Sequence, residues 1–135
     1  MALWLFKTEP HSWSWDDQVK SGAKGTEWTG VRNPQAQANM RAMKKGDRGF
    51  FYHTGDEKAV VGIVEVLAEA HPDPTDPAWG AVELRAVGPL ARPVTLAAVK
   101  ADPTLKDMAL ARNPRLSVQP VTDAQWARIT AMGGS

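Results

Sequence analysis

The middle of the chain limits the fold more than any other part. Residues 48–53, 59–69 and 79–87 are three runs rich in β-branched and aromatic residues, the types that suit a pleated, half-buried surface. Thr54-Gly55-Asp56-Glu57 separates the first two runs and reads as a turn. His71-Pro72-Asp73-Pro74-Thr75-Asp76-Pro77 separates the last two and reads as a stiff, proline-spaced loop. Both connections are hairpin-like, unlike the long crossovers that parallel neighbours need. A mostly antiparallel sheet follows. Gly62, inside the longest run, predicts a bend or bulge of the kind that curls a sheet.

Helical segments flank these strands. Ser14 can cap a short helix, with Asp16 and Asp17 in the first turn where the helix dipole favours acids. Asn33-Pro34 is a sharper start, with asparagine at the cap and proline at the first helical position. That helix should run to about Met43 and stop at Lys44-Lys45-Gly46-Asp47. Thr95 caps another short helix, and Thr122-Asp123-Ala124-Gln125 is a capping box that opens a terminal one. Leu3-Trp4-Leu5-Phe6-Lys7 reads as a first strand buried on both faces, and Leu116-Ser117-Val118-Gln119-Pro120 as a last short strand. The fold expected is α+β: a curled, mostly antiparallel, barrel-like sheet with short flanking helices. With no repeat or linker, residues 1–135 read as one domain.

Composition removes whole classes of chemistry. There is no cysteine, so disulfides, thiolate zinc sites and cysteine nucleophiles are excluded. His11, His53 and His71 are scattered without ligand spacing, and no metal or cofactor is expected. Gly22-x-x-Gly25 lacks the Lys-Ser/Thr that a phosphate loop needs. Asp16-Asp17 and Asp56-Glu57 read as solvated caps and turns, so no catalytic residue is assigned. No apolar run approaches the roughly 20 residues of a membrane helix, and the chain reads as a cytosolic monomer. Net charge is +1, spread evenly over both halves. If nucleic acid binds, a local patch and a shaped pocket must provide the affinity.

Six tryptophans stand out. Trp4 and Trp126 fall in regular elements and read as core. Trp13, Trp15 and Trp28 lie at element ends beside Ser12, Ser14, Thr29, Arg32 and Asn33, where a ring can grip a flat π-system. Stacking a base on such a ring is worth about 1–3 kcal/mol. Within Trp28-Thr29-Gly30-Val31-Arg32-Asn33, Arg32 can pair with a phosphate or stack on a base. Asn33 can cap a helix with its oxygen and still present its NH₂ group. On this reading Trp28 serves the ligand and not the fold. In Phe51-Tyr52-His53-Thr54, alternation puts Tyr52 on the face opposite His53. Ser117 and Gln119 share a face and can present hydroxyl and amide together.

These motifs, with Lys7-Thr8-Glu9-Pro10 ahead of them, occur in the order found in EVE-domain proteins, and the chain resembles that family over nearly its whole length. It is similar to the thymocyte nuclear protein family. Trp13 stands where the family usually has tyrosine, and Thr54 where it has serine. The resemblance implies a PUA-like fold and a reader that accepts a modified base, modified cytosine in DNA ahead of RNA, in an aromatic pocket. By motif match that pocket draws on Lys7, Glu9, Trp13, Trp28, Arg32, Asn33, Tyr52, His53, Ser117 and Gln119. Two other readings use the same residues: a small-molecule site with His53 and Glu9 as acid and base, and a protein-interaction module anchored by tryptophans.

Overall fold

A computed structural model describes residues 1–134. Six strands form one sheet: β1 (Leu3–Thr8), β2 (Thr26–Trp28), β3 (Arg48–His53), β4 (Ala59–Asp73), β5 (Asp76–Thr95) and β6 (Val118–Val121). Their order is β2-β5-β4-β3-β1-β6. Only β1 and β3 run parallel; every other neighbouring pair is antiparallel. The expected barrel does not close. β2 and β6 are the two ends of the sheet and do not pair. The curl comes from irregular register, once where Phe51 and Tyr52 meet Gly62 and Val60 and repeatedly along β4 and β5.

The proline-spaced segment is not a loop. His71 pairs with Ala81, Pro72 with Gly80 and Asp73 with Asp76, so only Pro74 and Thr75 remain as the turn. Proline is tolerated there because β3 stops pairing at Glu65, which leaves the far side of the hairpin tip without a partner to bond. The same reason lets β5 run through Pro89 and Pro93, since β2 flanks it only at residues 82–84.

The described residues also contain five α-helices, α1 (Trp15–Lys20), α2 (Pro34–Ala42), α3 (Leu96–Ala101), α4 (Ala109–Arg112) and α5 (Asp123–Met132), and a 3-10 turn at Gly22–Lys24. Four start as the sequence predicts. Ser14 with Asp17, and Thr122 with Gln125, form full capping boxes; Asn33 and Thr95 cap through their side chains. Each such cap is worth about 0.5–2 kcal/mol. None of the described helices is long and apolar enough to cross a membrane.

The sheet has a core on each face. Trp4, Phe6, Phe51, Val64 and Leu84 pack with Ala36 and Met40 of α2. Leu5, Phe50, Tyr52 and Val60 pack on the other side with Val99 of α3, Leu110 of α4 and Ile129 of α5. β1 therefore has to be apolar at consecutive positions, as its sequence is. Trp4 also donates its indole N–H to the buried Asp47 carboxylate at 3.1 Å, and Trp126 stacks on Phe50 at 4.0 Å.

Gly62 does more than permit a bulge. The six-membered ring of Trp15 lies over it, and a Cβ at this position would sit 2.5 Å from that ring. Gly62→Ala should destabilise the fold by about 1–3 kcal/mol through overpacking, measured by urea unfolding. An unchanged midpoint would mean that Trp15 moves aside freely.

Candidate functional site

A cavity of about 840 Å³ opens where β1 ends. One wall is the end of β1 and the turn after it, with Lys7, Thr8, Glu9, Ser12 and Trp13. The other is β2 and its connection to α2, residues 26–34. Ser117, just before β6, closes the third side. The structure thus brings Lys7, Glu9, Trp13, Trp28, Arg32, Asn33 and Ser117 together. It does not place Tyr52, His53 or Gln119 in the lining.

The aromatic walls are rigid. Trp13 is half-buried, and its indole N–H donates to Gln18 Oε1 at 2.9 Å. Gln18 is itself fully buried and anchored to the Leu84 carbonyl. Trp28 is only 8% exposed. Its ring meets Phe6 and Phe51 edge to face at 5.6 and 5.7 Å. Trp28 therefore belongs to the core as well as to the cavity floor, contrary to the reading that it serves the ligand alone.

The polar groups are held with equal care. Lys7 donates from Nζ to the Pro114 carbonyl at 2.9 Å, and burial lowers its pKa. Glu9 Oε1 accepts the His11 amide at 3.2 Å. Asn33 Oδ1 accepts the Ala36 amide at 2.9 Å as the cap of α2. Arg32 is anchored at the rim of the cavity. Its guanidinium donates to Asp73 at 3.2 Å and to Thr75 Oγ1 at 3.1 Å, and it lies over the ring of Trp79.

Asp73 was not among the pocket residues expected from the motifs. It is fully buried at the tip of the β4–β5 hairpin. Its carboxylate accepts from the Gly30 amide, the Thr75 amide, the Thr75 hydroxyl and Arg32. Burial would raise its pKa, but the hydrogen bonds from Thr75 and Gly30 and the Arg32 guanidinium outweigh that and hold it far below the usual carboxylate range. Gly30 has φ +78°, which a side chain would strain. The Asp73 carboxylate thereby fixes the loop that carries Trp28, Arg32 and Asn33. Its signals in the sequence were an aspartate between two prolines and the fit of the segment 73–77 to the family pattern.

The three remaining candidates have structural partners. Tyr52 is buried against the second core, with Lys7 Nζ 5.9 Å from its ring, and burial raises its pKa. His53 is 8% exposed; Nε2 accepts the Trp15 amide at 2.9 Å, and Nδ1 pairs with Glu57 at 2.7 Å. Gln119 is fully buried and donates to the Leu116 carbonyl at 3.0 Å. Its Oε1 has no partner among the described residues.

One grouping among the described residues has metal-ligand spacing. Glu27, His71 and Glu83 put their ligand atoms within 4.8 Å of one another. They already satisfy each other in part. His71 Nε2 bonds Glu27 at 2.8 Å, and that bond, then the Glu69 carbonyl, raises the histidine pKa.

Comparison with known proteins fits this geometry. A family model of the EVE domain matches residues 2–132. The chain belongs to the EVE-domain family. Human thymocyte nuclear protein 1 is 32% identical, and the match covers 91% of this chain and 70% of that protein. The chicken protein is 33% identical, and the chain spans 65% of its length, just under two thirds. Among solved structures, a protein from Agrobacterium tumefaciens is 52% identical with a TM-score of 0.97, over 99% of this chain and 94% of that one. The human THYN1 protein in complex with 5-methylcytosine containing DNA is 29% identical with a TM-score of 0.92, over 100% of this chain and 99% of that one. An ASCH protein from Zymomonas mobilis, at 15% identity and a TM-score of 0.62, shares the fold alone. The architecture is PUA-like: a mixed, open six-stranded sheet with short helices.

Two outcomes follow for the EVE domain. Trp28→Ala should cost about 3–5 kcal/mol of stability, as for other buried large-to-small changes; an intact unfolding midpoint would remove Trp28 from the core. Asp73 has a lower pKa in the folded chain than in the unfolded one. Its contribution is therefore full above about pH 4 and fades as pH falls below that. Asp73→Asn should flatten this acid limb of the stability profile, read by urea melts across the acid range.

Proposed function

We propose that the chain acts as a single EVE domain that takes a modified base, modified cytosine in DNA, into the cavity beside β1. The observation that carries this is the cavity itself: two immobilised tryptophans and a set of polar edge groups, on a fold that the human protein bound to 5-methylcytosine DNA shares almost completely. Trp13, half-buried and locked by Gln18, offers the base a ring face, and Trp28 forms the floor. Asn33, Ser117 and Glu9 address the edge of the base. From duplex DNA the base has to flip out, at a cost of a few kcal/mol. A rigid pocket lowers the ordering cost on the protein side. Arg32 serves this site by holding shape, through its bonds to Asp73 and Thr75.

We read the site as one for binding and not for turnover. A general base has to reach the group it deprotonates. His53 has both ring nitrogens engaged by Trp15 and Glu57 and lies outside the cavity lining, so the His53–Glu9 pair is not assembled. The cysteine-free sequence suits a reducing compartment, and we place the activity in the cytosol.

Fluorescence anisotropy with labelled oligonucleotides at fixed salt tests the reading. DNA carrying 5-methylcytosine should bind more tightly than its unmodified match, with RNA counterparts run alongside. Trp13→Ala should weaken binding by about 1–3 kcal/mol, the worth of one stacked base. Equal affinity for all four ligands would overturn the reader function.

A further inference from the structure

5-Methylcytosine and thymine share a ring size and a 5-methyl group. Shape and stacking cannot tell them apart. They differ along the Watson–Crick edge, where cytosine presents an amino donor at N4 and an acceptor at N3, and thymine presents an acceptor at O4 and a donor at N3. A cavity that reads methylated cytosine must impose the right pattern of donors and acceptors.

Asn33 is built to supply one half of that pattern. An amide ordinarily offers a donor or an acceptor by a half-turn about its last bond. Asn33 does not have that freedom. Its Oδ1 holds the Ala36 amide at 2.9 Å as the cap of α2, a helix of nine residues, and turning the amide over would forfeit the cap. Nδ2 is the atom left over, on a residue that lines the cavity, and it makes no other hydrogen bond among the described residues. The cap therefore fixes the place of Nδ2, and at that place the side chain offers a donor. Glu9, which also lines the cavity, offers acceptors: its Oε1 takes the His11 amide, and the carboxylate has acceptor capacity to spare. A donor held at that place complements the N3 acceptor of cytosine and opposes the N3–H of thymine.

Resting on the reader function above, we propose that Asn33 selects 5-methylcytosine against thymine by presenting the ring N3 with a hydrogen-bond donor whose orientation the helix cap enforces. Thymine would set its N3–H against the Asn33 N–H and leave both without an acceptor. Such unpaired polar groups cost enough to lower affinity about tenfold or more.

Asn33→Asp separates the cap from the reader. Aspartate caps a helix as well as asparagine, but it puts an acceptor where the donor was. The experiment measures binding of otherwise identical oligonucleotides carrying 5-methylcytosine or thymine at the target position, for the native protein and for Asn33→Asp, with thermal melts of both. The native protein should prefer 5-methylcytosine about tenfold or more. Asn33→Asp should melt as the native protein does and reduce or reverse that ratio, whatever its added charge does to both affinities together. A native protein that binds both bases equally would overturn the inference without touching the aromatic pocket. So would a ratio that Asn33→Asp leaves unmoved. Binding of neither base would overturn the reader function and this inference with it.

Discussion

The ladder between β4 and β5 is the constraint from which the rest of the structure hangs. These are the longest strands, and they continue well past the ends of their other neighbours. β3 docks on the first half of β4, and β2 docks on the middle of β5. Bulges along the ladder turn the two long strands, which bends the sheet without closing it. The bend brings the hairpin tip back over the β2–α2 connection. Without that return, Asp73 and Gly30 would have no reason to meet.

Where they meet, one carboxylate converts a glycine-bearing loop into a fixed wall. Four donors converge on Asp73. Burying a carboxylate is tolerable because every one of those donors offsets the lost water. Gln37 makes a parallel attachment close by. It is 2% exposed, donates to the carbonyls of Val31 and Gly80, and accepts the Gly80 amide. Trp13 is tied down in the same manner through Gln18. Buried amides and a buried carboxylate, not apolar packing alone, set the shape of the cavity. A site assembled this way is ready before the ligand arrives, which is what favours recognition of a small change such as one methyl group.

Much of this could be read from the chain. The capping residues Ser14, Asn33, Thr95 and Thr122 act locally, within three residues of the amides they bond, so their roles follow from short spacing. The apolar run in β1 and the β-rich middle declare themselves by residue type. The ordered motifs placed Lys7, Glu9, Trp13, Trp28, Arg32, Asn33 and Ser117 in one site, and the cavity contains them. Other features escaped. The proline-spaced segment looked like a loop, because whether a proline can sit in a strand depends on whether a neighbour needs its missing N–H. The ion pair of Arg32 was not legible, because its partner lies 41 residues away. His53, Tyr52 and Gln119 looked like pocket residues because their motifs adjoin the pocket in sequence, yet the alternating pleat and the core claim their side chains.

The sequence by itself determined most of the elements, four of the helix caps, the antiparallel centre and the family, since each depends on residue type and short-range order. Tertiary structure alone decided that the sheet stays open, that Trp28 is floor and core together, and that Asp73 governs the cavity. The physical reason is distance. Local propensities act over a few residues, whereas a buried charge is stable only where segments far apart in the chain deliver its donors to one point.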